Sequence, residues 1–268
     1  MPDRRRTTPA LRHRFAANTP AGGPPRVSAA PGPRRLAALQ GLLAGAGAFA
    51  LLLSNPAQGC PLALVLAMDV SASVDAHEFR LQAGGTAAAL TAPAVQAALL
   101  AVGPVAIAVT LWAGPDEQAQ VAAWATLHTA ADIATLAARI TATPRPGWGG
   151  RTATAAALTH AAALFAFAPD CHRQVIDLST DDAANAGPDP QGLNLGAVTV
   201  NALAVGGDLP MDHGSRADEG GALTRWLETR VIRGPGAFVE GADDWRDFAG
   251  AMERKLLREV LGQTVAAR

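Results

Sequence analysis

The 268-residue sequence has no tyrosine, only two cysteines, and aromatic residues at just 4% of the chain. Charged residues are also sparse, at 17%, whereas hydrophobic residues make up 49%. This composition excludes a wholly disordered chain, a collagen-like fibre and a multi-span membrane protein. It supplies enough apolar material for one sizeable core.

Basic residues are scarce outside the N-terminal region. Residues 1–57 contain eight arginines against Asp3 alone, a local balance of +7, so residues 58–268 carry a formal charge of −8. A nucleic-acid-binding protein needs a basic surface to meet phosphates. The acidic body therefore excludes nucleic acid as the expected partner.

The N-terminal region has the layout of a secretory signal. Residues 1–35 are rich in Arg, Pro and Thr, and the uncharged run Leu36–Leu53 is followed by small residues. We predict a signal sequence over residues 1–57, cleaved after Ala57, and one exported domain over residues 58–268, in the periplasm or secreted. Two alternatives stay open. The 18-residue apolar run is long enough to remain as an inner-membrane anchor, and Cys60 could be lipidated, although Ala57 stands where a lipobox usually has leucine.

From Cys60 onward, short apolar runs alternate with helical patterns. The helical pattern is clearest around Ile133–Ile140, where Thr129 and Asp132 predict a capping box. This alternation predicts a three-layer α/β sandwich with a mainly parallel sheet, one antiparallel edge strand at Gln120–Leu127, and helices on both faces. The other predicted strands are Leu62–Met68, Val105–Trp112, Gln174–Thr180, Ala197–Val205 and Ala237–Glu240, and the other predicted helices cover 74–100, 153–167 and a C-terminal segment opening near Asp243.

Polar residues collect where the predicted strands end. In open parallel sheets, ligand sites lie at the carboxyl ends of the strands. One strand runs into an Asp-x-Ser-x-Ser sequence, a Gly-bearing loop opens a helix at a threonine, and a third strand ends in Thr-Asp-Asp. The five candidate residues are Asp69, Ser71, Ser73, Thr152 and Asp181. Hard oxygen ligands of this kind suit Mg²⁺ or Mn²⁺.

These three pieces, in this order, resemble the metal-ion-dependent adhesion site of the von Willebrand factor type A domain. The resemblance spans residues 62–262. The stretches Leu64–Val74, Cys171–Ser179 and Leu223–Glu259 further resemble a bacterial family of exported proteins of unknown function related to that domain.

The resemblance implies a role for each candidate residue. Ser71 and Ser73 would be direct hydroxyl ligands, Thr152 would supply a third hydroxyl, and Asp69 and Asp181 would mostly hold coordinated waters. Neutral hydroxyls leave the charge of the metal uncompensated, so that a carboxylate of a partner protein can be attracted to it. Two departures matter: Thr154 is a second candidate for the threonine role, and Asp182 stands where family members often have glycine.

The family topology also implies a disulfide. Cys60 lies nine residues before Asp69 and Cys171 ten before Asp181, so the two cysteines would lie level on neighbouring strands, at the end opposite the candidate site. The bond would close a loop of about 110 residues and contribute roughly 4–5 kcal/mol by the loop-entropy estimate. It would agree with export to an oxidising compartment.

The sequence thus predicts a non-enzymatic, metal-dependent module that binds a protein partner. Two alternatives are a metal-free interaction scaffold and a serine hydrolase with Ser71 or Ser73, Asp181 and His213 in catalytic order. The hydrolase lacks a Gly-x-Ser-x-Gly elbow. Membrane contact is expected only through an uncleaved N-terminal segment. Two further expectations concern strand residues: Asp177 is expected to bond with Asn201, and Trp112 either packs in the core or meets a partner.

Overall fold

A six-stranded sheet organises the chain. A computed structural model describes residues 59–148, 150–206 and 223–262, so the predicted signal region lies outside the described residues. The strand order is β3-β2-β1-β4-β5-β6, and only β3 is antiparallel to its neighbour, which confirms the predicted α/β fold. The strands are β1 Cys60–Asp69, β2 Val105–Trp112, β3 Gln118–Leu127, β4 Cys171–Thr180, β5 Thr199–Val205 and β6 Val239–Ala242, and the helices are α1 Ala76–Thr91, α2 Pro93–Val102, α3 Ala130–Thr141, α4 Thr154–Leu164, α5 Leu223–Arg230 and α6 Phe248–Leu261.

The two faces of the sheet differ in side-chain size. Alternate residues of β1 point to opposite faces, as in any strand. Leu62, Leu64, Leu66 and Met68 pack with α1, α2, α3 and α6, whereas the smaller residues between them, such as Ala63, pack with α4 and α5. The alanine-rich sequence of α4 fits this thinner side of the core.

Helix ends follow local sequence signals. The predicted Thr129–Asp132 capping box is confirmed at the start of α3, and Asp75 forms a second capping box at the start of α1. The predicted helix over residues 74–100 is two helices. The break lies at Pro93, because proline constrains the residue before it away from helical geometry and fits the first turn of a new helix.

Other boundaries also differ from the sequence-based prediction. α6 begins at Phe248 rather than near Asp243, since residues 243–247 form turns. The short α5 was not predicted. Trp112 is fully buried and its indole N–H donates to the carbonyl of Ala67 at 3.2 Å, so it is a core residue and not a partner contact.

The predicted disulfide is confirmed. Cys60 and Cys171 are direct partners in the parallel register of β1 and β4, their Cα atoms are 4.5 Å apart, and their sulfurs are bonded. The bond joins the first residues of the two central strands. It therefore lies at the end of the sheet opposite the aspartates that end β1 and follow β4.

The expected bond between Asp177 and Asn201 is wrong. The two residues are neighbours in register, but Asp177 instead contacts the chain's only lysine, Lys255, which belongs to α6. Lys255 Nζ is 2.6 Å from Asp177 Oδ1 and 2.7 Å from Glu259 Oε1, and the Asn201 amide donates to the same Glu259 oxygen at 2.8 Å. Lys255 thus forms an ion pair with each carboxylate, whereas both Asp177 oxygens and Glu259 Oε2 accept no hydrogen bond from the described residues. We call these four residues the Lys255 cluster.

No single helix among the described residues has the length and apolarity of a membrane span. Among the described residues, only α1 and α2 taken together have the length and composition of a membrane span, and the two helices meet at an angle of 58°.

Candidate metal centre

Loops from three strands meet at one edge of the sheet. β1, β2 and β4 are adjacent and parallel, so their carboxyl ends lie together. The loop after β2 is joined to the segment that precedes α4 by a backbone hydrogen bond from Ala153 to Ala113 of 2.8 Å. The sheet thus gathers the segments that carry all five predicted ligands at one edge.

Asp69, the last residue of β1, is buried at this edge of the sheet. It is 0% exposed. Its Oδ1 accepts the backbone N–H of Ser71 at 2.7 Å, and its Oδ2 accepts the hydroxyl of Thr180 at 2.5 Å. The carboxylate therefore fixes both the turn that carries the serines and the end of β4.

The two serines reach across to Asp181. Ser71 Oγ lies 3.2 Å from Ser73 Oγ, and Ser73 Oγ donates to Asp181 Oδ1 at 2.7 Å. Together with the bond from Ser71 to Asp69, these contacts link four of the five predicted ligands in one continuous chain of hydrogen bonds. A cation at this place would meet hydroxyl and carboxylate oxygens without any change in the fold.

Thr152 enters from the third loop and makes no direct hydrogen bond to the other four. A Cβ on Gly150, which has φ +98°, would lie 2.7 Å from the Cβ of Ala72, so only glycine allows this close approach. The Thr152 N–H donates to Asn185 Oδ1 at 2.9 Å. Thr152 is 2% exposed.

The alternative threonine, Thr154, is the first residue of α4. Thr154 is buried like Thr152, and its hydroxyl has no hydrogen-bond partner among the described residues. Burial therefore does not separate the two threonines. Their positions distinguish them, because Thr152 lies in the loop that approaches Ala72, whereas Thr154 is already part of α4.

The two carboxylates lack a compensating cation. Burial, followed by repulsion from Asp181, raises the pKa of Asp69 to about 7. Burial also raises the pKa of Asp181 to about 6, despite the hydrogen bond from Ser73 and with added repulsion from Asp182 and Glu78. No basic side chain among the described residues forms an ion pair with Asp69 or Asp181.

Arg145 is the cation that holds this edge together, but it does so through the main chain. Its guanidinium donates to the carbonyls of Val70 and Ser71 at 3.1 Å and of Val74 at 2.9 Å. The guanidinium therefore fixes the serine-bearing turn and leaves the carboxylates unpaired.

A second support, also missed from sequence, is Gln82 of α1. Its amide donates to the carbonyl of Asp69 at 2.7 Å and accepts from Ser179 at 2.9 Å. A glutamine among the small and apolar residues of α1 was the available signal, since a polar side chain on a buried helix face needs partners. Arg145 and Asn185 lie in loops and carried no comparable signal.

Asp182 stabilises the turn after β4. Its Oδ1 accepts the N–H of Ala183 at 2.7 Å, and its carbonyl accepts the hydroxyl of Thr180 at 2.9 Å. Its negative charge acts on the site mainly by repelling Asp181.

The donor set fits a hard divalent cation. Among the described residues there is no group of three or more His, Cys, Asp or Glu side chains that could bind a metal. The candidate site instead combines three neutral hydroxyls with two carboxylates. These carboxylate and hydroxyl oxygens suit Mg²⁺ or Mn²⁺ rather than a soft metal.

Several solved structures align with this fold. Proximal thread matrix protein 1 from the mussel byssus aligns at 16% identity and a TM-score of 0.54, covering 76% of this chain and 48% of that one. The pilus adhesin SpaC from Lactobacillus rhamnosus GG aligns at 14% identity and a TM-score of 0.55, covering 75% and 31%. A von Willebrand factor type A protein from Catenulispora acidiphila aligns at 17% identity, covering 75% and 43%, with a TM-score of 0.48.

The predicted von Willebrand factor type A-like fold is thereby confirmed, and the likeness extends to the fold alone. The chain spans about half or less of the length of these structures. No curated protein matches the sequence.

The sequence itself places the chain in a family. The model of the family described as "Protein of unknown function (DUF1194)" matches residues 59–264, and the chain belongs to that family.

Proposed function

We propose that the protein is an exported binding module that holds an acidic group of a protein partner through a Mg²⁺- or Mn²⁺-dependent adhesion site. The observation that carries this proposal is the pair of carboxylates at this edge, buried Asp69 and half-buried Asp181, which accept hydrogen bonds from the hydroxyls of Thr180 and Ser73 and form no ion pair among the described residues. Buried charges normally persist only when they are paired or bind a metal.

Each residue has a distinct role in this proposal. Ser71, Ser73 and Thr152 would hold the ion through neutral hydroxyls, and Asp69 and Asp181 would hold its coordinated waters. The ion would supply an electrophilic position that attracts a carboxylate, because neutral ligands compensate little of its charge. No bond is broken in this mechanism, so we propose no enzymatic activity.

Export and domain organisation belong to the same proposal. Residues 1–57 would act as a signal sequence and residues 58–268 as the exported domain. The Cys60–Cys171 disulfide supports an oxidising compartment such as the periplasm. It also disfavours lipidation of Cys60, because one sulfur cannot form both bonds. An uncleaved, membrane-anchored form is compatible with the same disulfide.

The hydrolase alternative has little support from the described residues. Ser73 Oγ donates to a carboxylate, and no described histidine bonds to Ser71 or Ser73. His213 lies outside the described residues. Modification of Ser71 by a serine-reactive phosphonate would revive this alternative.

Calorimetric titration of Mg²⁺ and Mn²⁺ into the purified, oxidised protein tests the proposal. The wild type is expected to bind saturably and the Asp181→Ala variant to lose binding. Asp170→Ala is the matched control, because Asp170 is exposed and precedes β4 at the opposite end of the sheet. Absence of binding by the wild type at millimolar metal would instead favour the metal-free scaffold.

A further inference from the structure

A second candidate site lies at the opposite end of the sheet. A cavity of about 600 Å³ opens between the start of β4, the start of β5 and the end of α6. Its volume falls within the range of small-molecule pockets, roughly 300–1,000 Å³. The disulfide residue Cys171 forms part of its wall, so the cavity lies far along the strands from the candidate metal centre.

Two arginines line this cavity, and other contacts hold both of them in place. Arg173 donates to the carbonyls of Glu259 and Val260 at 2.9 and 3.4 Å, through one of its two terminal nitrogens. The guanidinium carbon of Arg258 lies 3.7 Å from the centre of the Phe238 ring. Within the described ranges, neither arginine forms an ion pair with a carboxylate. Glu259 also lines the cavity and attracts Arg173 electrostatically, but neither guanidinium is held in an ion pair, so both are suited to bind an anion.

The rest of the lining indicates the kind of anion. Val175, Ala197 and Pro235 give the cavity an apolar wall, which suits a carbon body better than a bare inorganic ion. The buried Asp177, Lys255 and Glu259 side chains sum to −1 when ionised, and the two guanidiniums bring the local balance to +1. A ligand with a single negative charge would therefore neutralise this set of five side chains.

We propose that this cavity binds a small organic carboxylate, whose carboxylate group is held by Arg173 and Arg258 and whose carbon body packs against Val175 and Pro235. Thr199 and Gln174, which also line the cavity, provide polar groups for selectivity among such acids. This site is independent of the proposed metal-dependent function.

NMR titration of the ¹⁵N-labelled protein with benzoate and with hexanoate tests the proposal. EDTA is present throughout, so that carboxylates cannot report on a metal at the other end. We expect saturable shifts of the Thr199 and Gly262 amides below about 10 mM ligand. Arg173→Gln and Arg258→Gln are each expected to weaken binding at least about tenfold, the range of one charged hydrogen-bonding group. Arg246→Gln, an exposed arginine before α6, is the control and should bind normally.

Three results would overturn the proposal. The first is the absence of saturable shifts with both carboxylates. The second is unchanged binding in both arginine variants while their thermal unfolding remains that of wild type. The third is equally tight binding of inorganic phosphate or of benzamidine, the cationic analogue of benzoate, since neither offers a carboxylate.

Discussion

Two pairs of carboxylates, one containing Asp177 of β4 and the other Asp181 of the turn after it, lie in different electrostatic environments. In the Lys255 cluster, Asp177 and Glu259 share a lysine that is 0% exposed, and the ion pairs are 2.6 and 2.7 Å long. In the candidate metal centre, Asp69 and Asp181 contact hydroxyls and backbone N–H groups, but no cationic side chain among the described residues.

We interpret the Lys255 cluster as a structural charge network and the candidate metal centre as a proposed binding site. A buried carboxylate with its own cation stabilises the native structure once the whole network has formed, and removal of one partner is strongly destabilising. A buried carboxylate without one keeps an unfavourable charge that an external cation can relieve. We therefore expect the candidate metal centre, and not the Lys255 cluster, to bind an external cation.

The largest expected effect comes from removing the internal cation. Lys255→Met leaves two buried carboxylates without their cation, so the free energy of unfolding should fall by about 3–5 kcal/mol. Denaturant unfolding of the oxidised protein measures this. The triple variant Asp177→Asn, Lys255→Met, Glu259→Gln should recover much of the loss. If Lys255→Met alone leaves stability unchanged, the cluster is not a coupled charge network.

The second prediction concerns pH in the absence of divalent metal. The pKa values of Asp69 and Asp177 are raised to about 7 and that of Asp181 to about 6, from an ordinary value near 3.8. Between about pH 4 and pH 7 the folded protein thus binds protons more tightly than the unfolded chain, so the free energy of unfolding falls as pH rises through that window. We expect a loss of several kcal/mol between pH 5 and pH 8, since each pKa unit that one group crosses contributes about 1.4 kcal/mol.

Adding Mg²⁺ and mutating Asp177 separate the contributions of the candidate metal centre and of the Lys255 cluster to this pH dependence. Saturating Mg²⁺ should remove the part that comes from Asp69 and Asp181, because a bound cation favours their ionised forms. The remaining part should disappear in Asp177→Asn. Thermal unfolding at several pH values, with Mg²⁺ or with EDTA, measures both. A pH profile that Mg²⁺ leaves unchanged would contradict the assignment of those two aspartates to a metal centre.

The third prediction reverses the usual direction of a core mutation. Asp69→Asn keeps the shape of the side chain and removes an unpaired buried charge, so in EDTA at pH 8 the variant should be more stable than wild type by about 1 kcal/mol. In Mg²⁺ the order should invert, because only the wild type gains from binding. Equal stability changes under both conditions would indicate a purely structural Asp69.

The smallest expected effect is at Arg145, which orders the serine-bearing turn without touching either carboxylate. Arg145→Gln should weaken Mg²⁺ binding about threefold to tenfold, through a less ordered Ser71 and Ser73. Calorimetric titration measures the change, and Arg139→Gln, an exposed arginine of α3 that donates to a carbonyl of β3, is the matched control. A complete loss of binding in Arg145→Gln would mean that Arg145 does more than order the turn.

Sequence alone predicted the sheet well because the strands are unusually simple. β1 and β2 are continuous apolar runs, and the end of β2 at Trp112 was predicted to the residue. The pairing of Cys60 with Cys171 followed from the register that the family resemblance implied. The break at Pro93 could be predicted from the proline itself. Helix α5 has its apolar residues Leu223, Trp226 and Leu227 at helical spacing, but it is only eight residues long, which makes the pattern short.

The supports of the candidate site and the Lys255 cluster could not be predicted in the same way. Arg145 and Asn185 act through main-chain and amide contacts that depend on how two loops meet in space. The Asp177–Asn201 prediction failed because register places them side by side, but α6 inserts Lys255 and Glu259 from a distant part of the chain. The five predicted ligands stay a prediction until metal binding is measured.

The disulfide between the first residues of β1 and β4 also has a mechanical consequence. When the chain is pulled between a point before Cys60 and a point after Cys171, the tension passes from β1 to β4 through the covalent tie. The residues between the two cysteines, which carry Asp69, Ser71, Ser73 and Thr152, lie outside that path. Tension along the chain therefore cannot extend this segment until the disulfide is broken.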